Sequence, residues 1–335
     1  MKFTEATASS PAKFKRVGVV GGGQLASMMG DAARALGIEL VVQTPDAADP
    51  AVSVAAGAVL AAVDDVLATA HLADGCDVIT FENEFVDLDG LRILEHQGVL
   101  FRPSLSSLSP LLDKYVQRCY LQGLGLPTPK FWAWDCSQDL HLDFPFVVKV
   151  RRHGYDGQGT FIVKDRESFE SICDKVKGQS LLVEEFVPFD RELAVIAARS
   201  ATGEMAIYPI VETQQQNQVC HNSGHFTINA CKTSQFEQHL RAVCQLPLGN
   251  CDLKCSSAVM VNLLGYESAE SDYLAKRKQL AQISGAFVHW YGKKVSRPGR
   301  KLGHVTVLFD AGLGENEGKS ASAIAQTIES IWYAT

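Results

Sequence analysis

Three stretches of this 335-residue chain carry residue types that could act on a phosphorylated ligand. The first, FVVKVRRHGYDGQGTFIV at residues 146–163, reads as an apolar strand, a glycine-rich turn and a second strand. Gly154, Gly157 and Gly159 surround Tyr155, Asp156 and Gln158, and Thr160 follows. Glycines at that density let backbone N–H groups close around an anion such as a nucleotide phosphate tail. Lys149, on the strand face turned from the packed side, can place a point charge on the same phosphates. Taken alone, an ordinary hairpin whose glycines serve only the turn is the commoner explanation.

The second stretch, LLVEEFVPFDRELAV at 181–195, reads as strand, turn and strand. Glu184 and Glu185 close its first strand, Phe186 and Val187 form a short apolar linker, and Glu192 opens the next strand. A carboxylate there suits ribose hydroxyls, while backbone groups of the linker suit an adenine edge. Glu185 and Glu192 singly read as surface glutamates of a solvated hairpin. The third stretch is VGVVGGGQLASMM, in which Gly21, Gly23 and Ala26 satisfy G-x-G-x-x-A. A dinucleotide, a single phosphate on the helix N-terminus with the Gln24 amide as an extra donor, and a plain tight turn all remain open. The following strand ends in Gln43 rather than a ribose-binding acid, which argues against the dinucleotide.

Simple elements must hold these residues. Residues 16–44 form a βαβ unit, and residues 76–94 form a strand ending in Glu82 and Glu84, then a helix. Carboxylates at the end of a parallel strand sit where open α/β sheets bind ligands, although Glu84 reads better as a solvated acid. A Ser/Pro-rich linker precedes an amphipathic helix that stops at Gly125 and Pro127. Lys114 near its start runs against the helix dipole, which raises the case for a phosphate partner, although a plain surface lysine remains the commoner outcome.

Composition sets the bounds. Hydrophobic content of 46% and charged content of 21% describe an ordinary soluble protein of two or three domains. A net charge of −7 argues against nucleic-acid binding, so an anionic substrate needs local basic residues. Nine cysteines without a CxxC pair suit reduced thiols in the cytoplasm. The polar start resembles no secretory signal, and residues 51–63 are too short to span a bilayer, so no membrane is expected.

GGGQLASMM, ITFENEF, DKYVQRCYLQGLGLPTP, VVKVRRHGYDGQG, VEEFVPFDREL, HNSGHFT, SQFEQHLRAV and YGKKVSRPGRKLGH occur in that order. On these motifs the chain closely resembles the 5-(carboxyamino)imidazole ribonucleotide synthase (PurK) family of ATP-grasp enzymes, particularly its cyanobacterial form, over about residues 16–308. The resemblance implies an α/β and α+β architecture. A disordered tail (1–15) would precede a Rossmann-like pre-ATP-grasp domain (16–105), an ATP-grasp domain (106–250) and a small β-rich C-terminal domain (251–335). It also implies a reaction in which ATP phosphorylates bicarbonate to carboxyphosphate, which carboxylates the amine of 5-aminoimidazole ribonucleotide. Lys114, Lys149, the loop Gly154 to Thr160, Glu184 to Val187, Glu192 and, as a weaker match, Gln215 would bind ATP. Gly23, Gln24, Leu25 and Glu82 would face the ribonucleotide, with Lys293 and Arg300 on its phosphate. His221, Arg300 and Lys301 would be catalytic; magnesium would accompany ATP, and the protein would be a homodimer.

The family pattern breaks after Cys220. A metal-binding glutamate, a strand ending Asn-Glu and an Ala-Pro-Arg should precede HNSGH, yet Cys220 runs straight into His221. Roughly 60 residues, about two βαβ units, are expected there. Between Thr213 and Asp252 the only acids are Glu237, inside a helix, and Asp252 itself. Magnesium on a nucleotide usually takes one or two carboxylates. The sequence therefore leaves the metal ligands unassigned, predicts weak or absent turnover, and keeps two alternatives: an inactive deletion product and an NAD-dependent oxidoreductase.

Overall fold

The computed structural model describes residues 14–135, 142–152, 159–214, 222–309 and 320–334. Its first module is the βαβ unit extended to a four-stranded parallel sheet. The elements are β1 (Arg16–Val20), α1 (Gln24–Leu36), β2 (Glu39–Thr44), β3 (Gly57–Leu60), α2 (Val66–Asp74), β4 (Val78–Phe81) and α3 (Leu88–His96). Sheet order is β3-β2-β1-β4. Both faces are covered, so β1 and β4 run almost wholly buried, as continuous apolar strands of a parallel sheet should. Ala26, Met29, Gly30 and Ala33 recur at helical spacing and turn α1 onto β1 and β2, and Gly37 ends the helix in the left-handed region. This unit begins at Phe14, which packs on its core, so residues 14 and 15 do not belong to the expected tail.

The short α4 (Leu105–Leu108) and α5 (Lys114–Gly123, capped by Asp113) lead to a second module. β5 (Phe131–Trp134), β6 (Phe146–Val150), β7 (Thr160–Val163) and β8 (Leu181–Glu185) form an antiparallel sheet in the order β5-β8-β6-β7, with α6 (Arg166–Lys175) against it. β6 and β7 are the expected hairpin. The second strand pair is corrected: β8 pairs with β5 and β6, whereas β9 (Glu192–Ala194) crosses over to pair with β12 (Val211–Thr213). Pro188 in the linker lacks the N–H that a continuous ladder needs. β10 (Ala197–Arg199) and β11 (Met205–Ile207) make another two-stranded ribbon. Leu193, Val195, Met205, Ile207 and Ile210 on these ribbons are each more than half exposed.

After α7 (Thr227–Ala230) comes α8 (Gln235–Val243), expected to lie in the ATP-grasp domain. It packs instead on the first module. Phe236, Leu240 and Val243 join the core of Ala26, Met29 and Ala33, and Arg102 donates to the Val243 carbonyl at 3.1 Å. An amphipathic helix buries its apolar stripe against whichever face completes a core, irrespective of chain order. The last module is β13 (Ser257–Leu264), β14 (Ala269–Glu270), α9 (Leu274–Leu280), β15 (Ala286–Trp290), β16 (Val295–Ser296), β17 (Lys301–Phe309) and α10 (Ala321–Trp332). Its main sheet runs β13-β17-β15, with β14 and β16 paired separately. The sequence left α1 and α10 open as core or dimer surface. Both are core, α10 through Ile324, Ile328 and Trp332. No helix among the described residues is long and apolar enough to cross a membrane.

Candidate functional site

The GGGQ turn and the end of β4 meet. Gly21 holds φ at +119°, and a Cβ there would lie 2.6 Å from Glu82 Oε2. One on Gly23 would lie 2.5 Å from Glu82 Oε1, so only glycine lets the carboxylate sit against the turn. Burial raises the Glu82 carboxyl above its ordinary value, while hydrogen bonds from Asn83 and the Leu25 backbone N–H pull the other way. Beside it, Gln24 Oε1 is buried with no hydrogen-bond partner. Two adjacent acceptors, one unsatisfied, suit a ligand that brings hydroxyl or amine donors. Gln43 is fully buried, donates to the Ala62 carbonyl at 2.6 Å, and accepts from Thr69 at 2.8 Å. It braces the start of α2 and cannot reach a ribose, which removes the dinucleotide reading.

Of the residues expected to bind ATP, Lys149 and Glu184 meet on one face of β6 and β8. Val147 lies opposite Glu184 and Lys149 opposite Leu182, so Lys149 and Glu184 are diagonal neighbours on one face. Glu184, only 3% exposed, accepts from both Lys149 and Arg118. Burial alone would raise its carboxyl, but those two hydrogen bonds outweigh it and hold the group below its ordinary value. The expected ribose carboxylate thus orders two bases. Arg118 on α5 escaped the sequence reading because its partner is 66 residues away. Lys114 donates to the Val150 carbonyl at 3.2 Å, and burial, then the Lys149 charge, depress its ammonium. Asp113 pairs with Arg151 at 2.8 Å and anchors the start of α5. Glu185 pairs in solvent with Lys130, and Glu192 accepts from Thr213 at 2.5 Å. Phe186 and Val187 are exposed, and Gly159 directly precedes Thr160, the first residue of β7. Gly154, Tyr155, Asp156, Gly157, Gln158, Gln215 and His221 lie outside the described residues.

The third group sits where β15 runs into β17. Lys293 donates to the Lys301 carbonyl at 2.8 Å, Arg300 to the Val295 carbonyl at 2.6 Å, and Lys301 to Asn222 Oδ1 at 3.3 Å. These bonds fold the basic loop back on itself and gather three cations, as an acidic protein needs for an anionic ligand. Behind them His225 is 2% exposed and His304 fully buried. Burial, with the Lys301 and His289 charges, lowers His225 to about 4 from an ordinary 6.5. In the window between those values the unfolded chain binds the proton and the folded chain does not. The stability this site contributes is therefore intact above the unfolded value and lost as pH falls toward about 4, at about 1.4 kcal/mol per pH unit. Urea titrations from about pH 7 to about pH 5 should show that loss together with those of His239 and His304, which burial also pushes down, and His225→Gln should remove about one proton's share of the slope. An unchanged slope in the variant would exclude His225 as its source.

A magnesium site was tested against these donors. No three His, Cys, Asp or Glu side chains come together as a metal cluster among the described residues. Glu184 is committed to two bases and Glu212 faces Arg191 at 3.6 Å. The described carboxylates do not fit the metal.

Known proteins resemble this chain module by module. A ribonucleotide synthetase preATP-grasp domain matches residues 14–109, an ATP-grasp domain 119–221, and a phosphoribosylaminoimidazole carboxylase C-terminal domain 258–312. The N5-carboxyaminoimidazole ribonucleotide synthase of Synechococcus elongatus is 44% identical over 386 aligned positions, covering 98% of this chain and 97% of the relative. This chain belongs to the N5-carboxyaminoimidazole ribonucleotide synthase family. Within the family, the carboxyaminoimidazole ribonucleotide synthase of Aspergillus clavatus, complexed with ATP, superposes with a TM-score of 0.85 at 27% identity over 95% of this chain and 98% of that one. A structure of the same fungal synthase with ADP and 5-aminoimidazole ribonucleotide gives 0.83 at 25% identity, over 95% and 98%. The family architecture is that of an ATP-grasp carboxylate–amine ligase, and the three groups above lie in its three modules.

Proposed function

We propose that this chain is built for the ATP- and bicarbonate-dependent carboxylation of 5-aminoimidazole ribonucleotide in purine biosynthesis, as a cytoplasmic homodimer. The observation that carries the ribonucleotide site is the unsatisfied Gln24 Oε1 beside the Glu82 carboxylate, in a chain 44% identical to a named synthase. Ribose hydroxyls or the exocyclic amine supply the missing donors, and Lys293, Arg300 and Lys301 supply the charge for the phosphate. Lys114 and Lys149 face the ATP phosphates. ATP and bicarbonate give carboxyphosphate and ADP; the amine then takes the carboxyl group, releasing phosphate and a proton. Magnesium, where bound to the nucleotide, would offset charge on the transferring phosphoryl group. Calorimetry with the ribonucleotide should show one site per chain, abolished by Glu82→Ala or Arg300→Ala. Binding that survives both variants would remove the ribonucleotide from this pocket.

We further propose that this chain turns over poorly. Three observations support the reading. The relative aligns over 386 positions although this chain has 335 residues, so it carries residues where this chain has none. The ATP-grasp match stops at residue 221, where the family pattern breaks. Leu193, Met205 and Ile207 of β9 and β11 are also more than half exposed, as strands stripped of neighbours would leave them.

A further inference from the structure

Behind the basic loop lies a buried polar string that the reaction does not use directly. The Tyr291 hydroxyl is 2.8 Å from His304 Nδ1 and 3.3 Å from His225 Nδ1, and it also hydrogen-bonds the Asn222 side chain. Asn222 Oδ1 faces Lys301 Nζ, so the Asn222 amide nitrogen is the group left to donate to Tyr291. His289 stacks on His304 with ring centroids 4.4 Å apart and donates through Nε2 to Asn229 Oδ1 at 2.6 Å. His304 Nε2 is buried with no partner.

Hydrogen counting fixes the direction of the string. A phenol donates once and accepts twice. An orphaned lone pair costs less than an orphaned N–H, which places the His304 proton on Nδ1, pointing at the tyrosine oxygen. Asn222 fills the second lone pair, and the phenol proton goes to His225 Nδ1. That assignment keeps all the imidazoles neutral and leaves His304 Nε2 as a buried lone pair without a partner. Burial depresses both buried histidines below the ordinary value, which keeps them neutral near pH 7.

We propose that Tyr291 is a positioning residue for the basic site: held by His225 and His304, its hydroxyl orients Asn222, and Asn222 fixes the Lys301 ammonium. The inference rests on the reading above only in placing Lys301 in the ribonucleotide site; the string itself is independent of it. The amide is the weak point of the chain of bonds, since a free Asn222 side chain rotates and releases the lysine.

The test needs two arms on the full chain. In the first, without ligand, Lys301 acylation is followed by mass spectrometry against exposed Lys294 as the internal reference. Tyr291→Phe, assayed where it is fully folded, should raise the Lys301 rate about threefold or more, and Asn222→Ala should do the same from the far end of the string. An unchanged rate in both variants overturns the proposal. In the second arm, ribonucleotide binding is measured for Tyr291→Phe, Lys301→Met and the double variant. Tyr291→Phe should weaken binding about five- to tenfold alone and add nothing to Lys301→Met. Additive losses would make Tyr291 a structural residue only. A parent chain that fails to bind the ribonucleotide would instead refute the ribonucleotide reading, leaving the acylation arm to decide the string.

Discussion

ATP turnover by the purified chain, given bicarbonate, magnesium and 5-aminoimidazole ribonucleotide, is expected to fall at least about 10²-fold below that of the Synechococcus elongatus relative assayed beside it. Phosphoryl transfer develops charge that must be met by prearranged groups, and each missing group costs heavily. Here Glu184, beside Lys149, already accepts from two protein bases, and Glu212 faces Arg191. Inserting about 60 residues of the relative between Cys220 and His221, where our proposal puts the break, should recover much of the loss. ADP release measured with each substrate omitted in turn checks both statements. Turnover matching the relative, in a folded and monodisperse sample, would show that other residues do this work and would sink the low-activity reading.

Glu184→Ala should destabilise the second module by about 3–5 kcal/mol, the usual effect of removing one member of a buried ion pair. The carboxylate is 3% exposed, whereas Arg118 and Lys149 are 24% and 22% exposed. Without it two cations confront each other in a half-dry site, and the repulsion falls on the sheet and on α5 together. Glu185→Ala is the control. Its partner Lys130 stands in solvent, and a change below about 1 kcal/mol is expected there. Chemical denaturation of the two variants separates the cases; equal effects would mean that Glu184 is not the keystone of the triad.

Much of the fold could be read from local pattern. VGVV and the LVV of β2 are unbroken apolar runs, and a strand buried on both faces favours such residues. The spacing of Ala26, Met29 and Ala33 likewise marked α1 and its inner face. Long-range partnership was harder. The apolar stripe of α8 is plain in SQFEQHLRAV, but nothing in those ten letters says that its mate is α1, some two hundred residues earlier. Glu184 was marked as a ligand group because strand ends often carry one, and only register and the approach of Arg118 show it holding bases. The GGGQ turn was ambiguous for the same reason. Its meaning depends on Glu82, which reaches it through strand pairing rather than chain proximity. Asn222 and Tyr291 have side chains too common to stand out until their contacts are seen.

The placement of α8 bears on how the chain is made. A ribosome releases the N-terminus first, and domains generally fold as they emerge. Here the core beneath α1 lacks Phe236, Leu240, Val243 and Leu246 until more than two-thirds of the polypeptide has been synthesised. The first module therefore waits half-clad, its Met29 and Ala33 face open, while the nucleotide module is translated and folds in the interval. Nascent chains arrested before and after residue 246 should differ in protease resistance across residues 16–44, since the first module is then completed only after the second has been made.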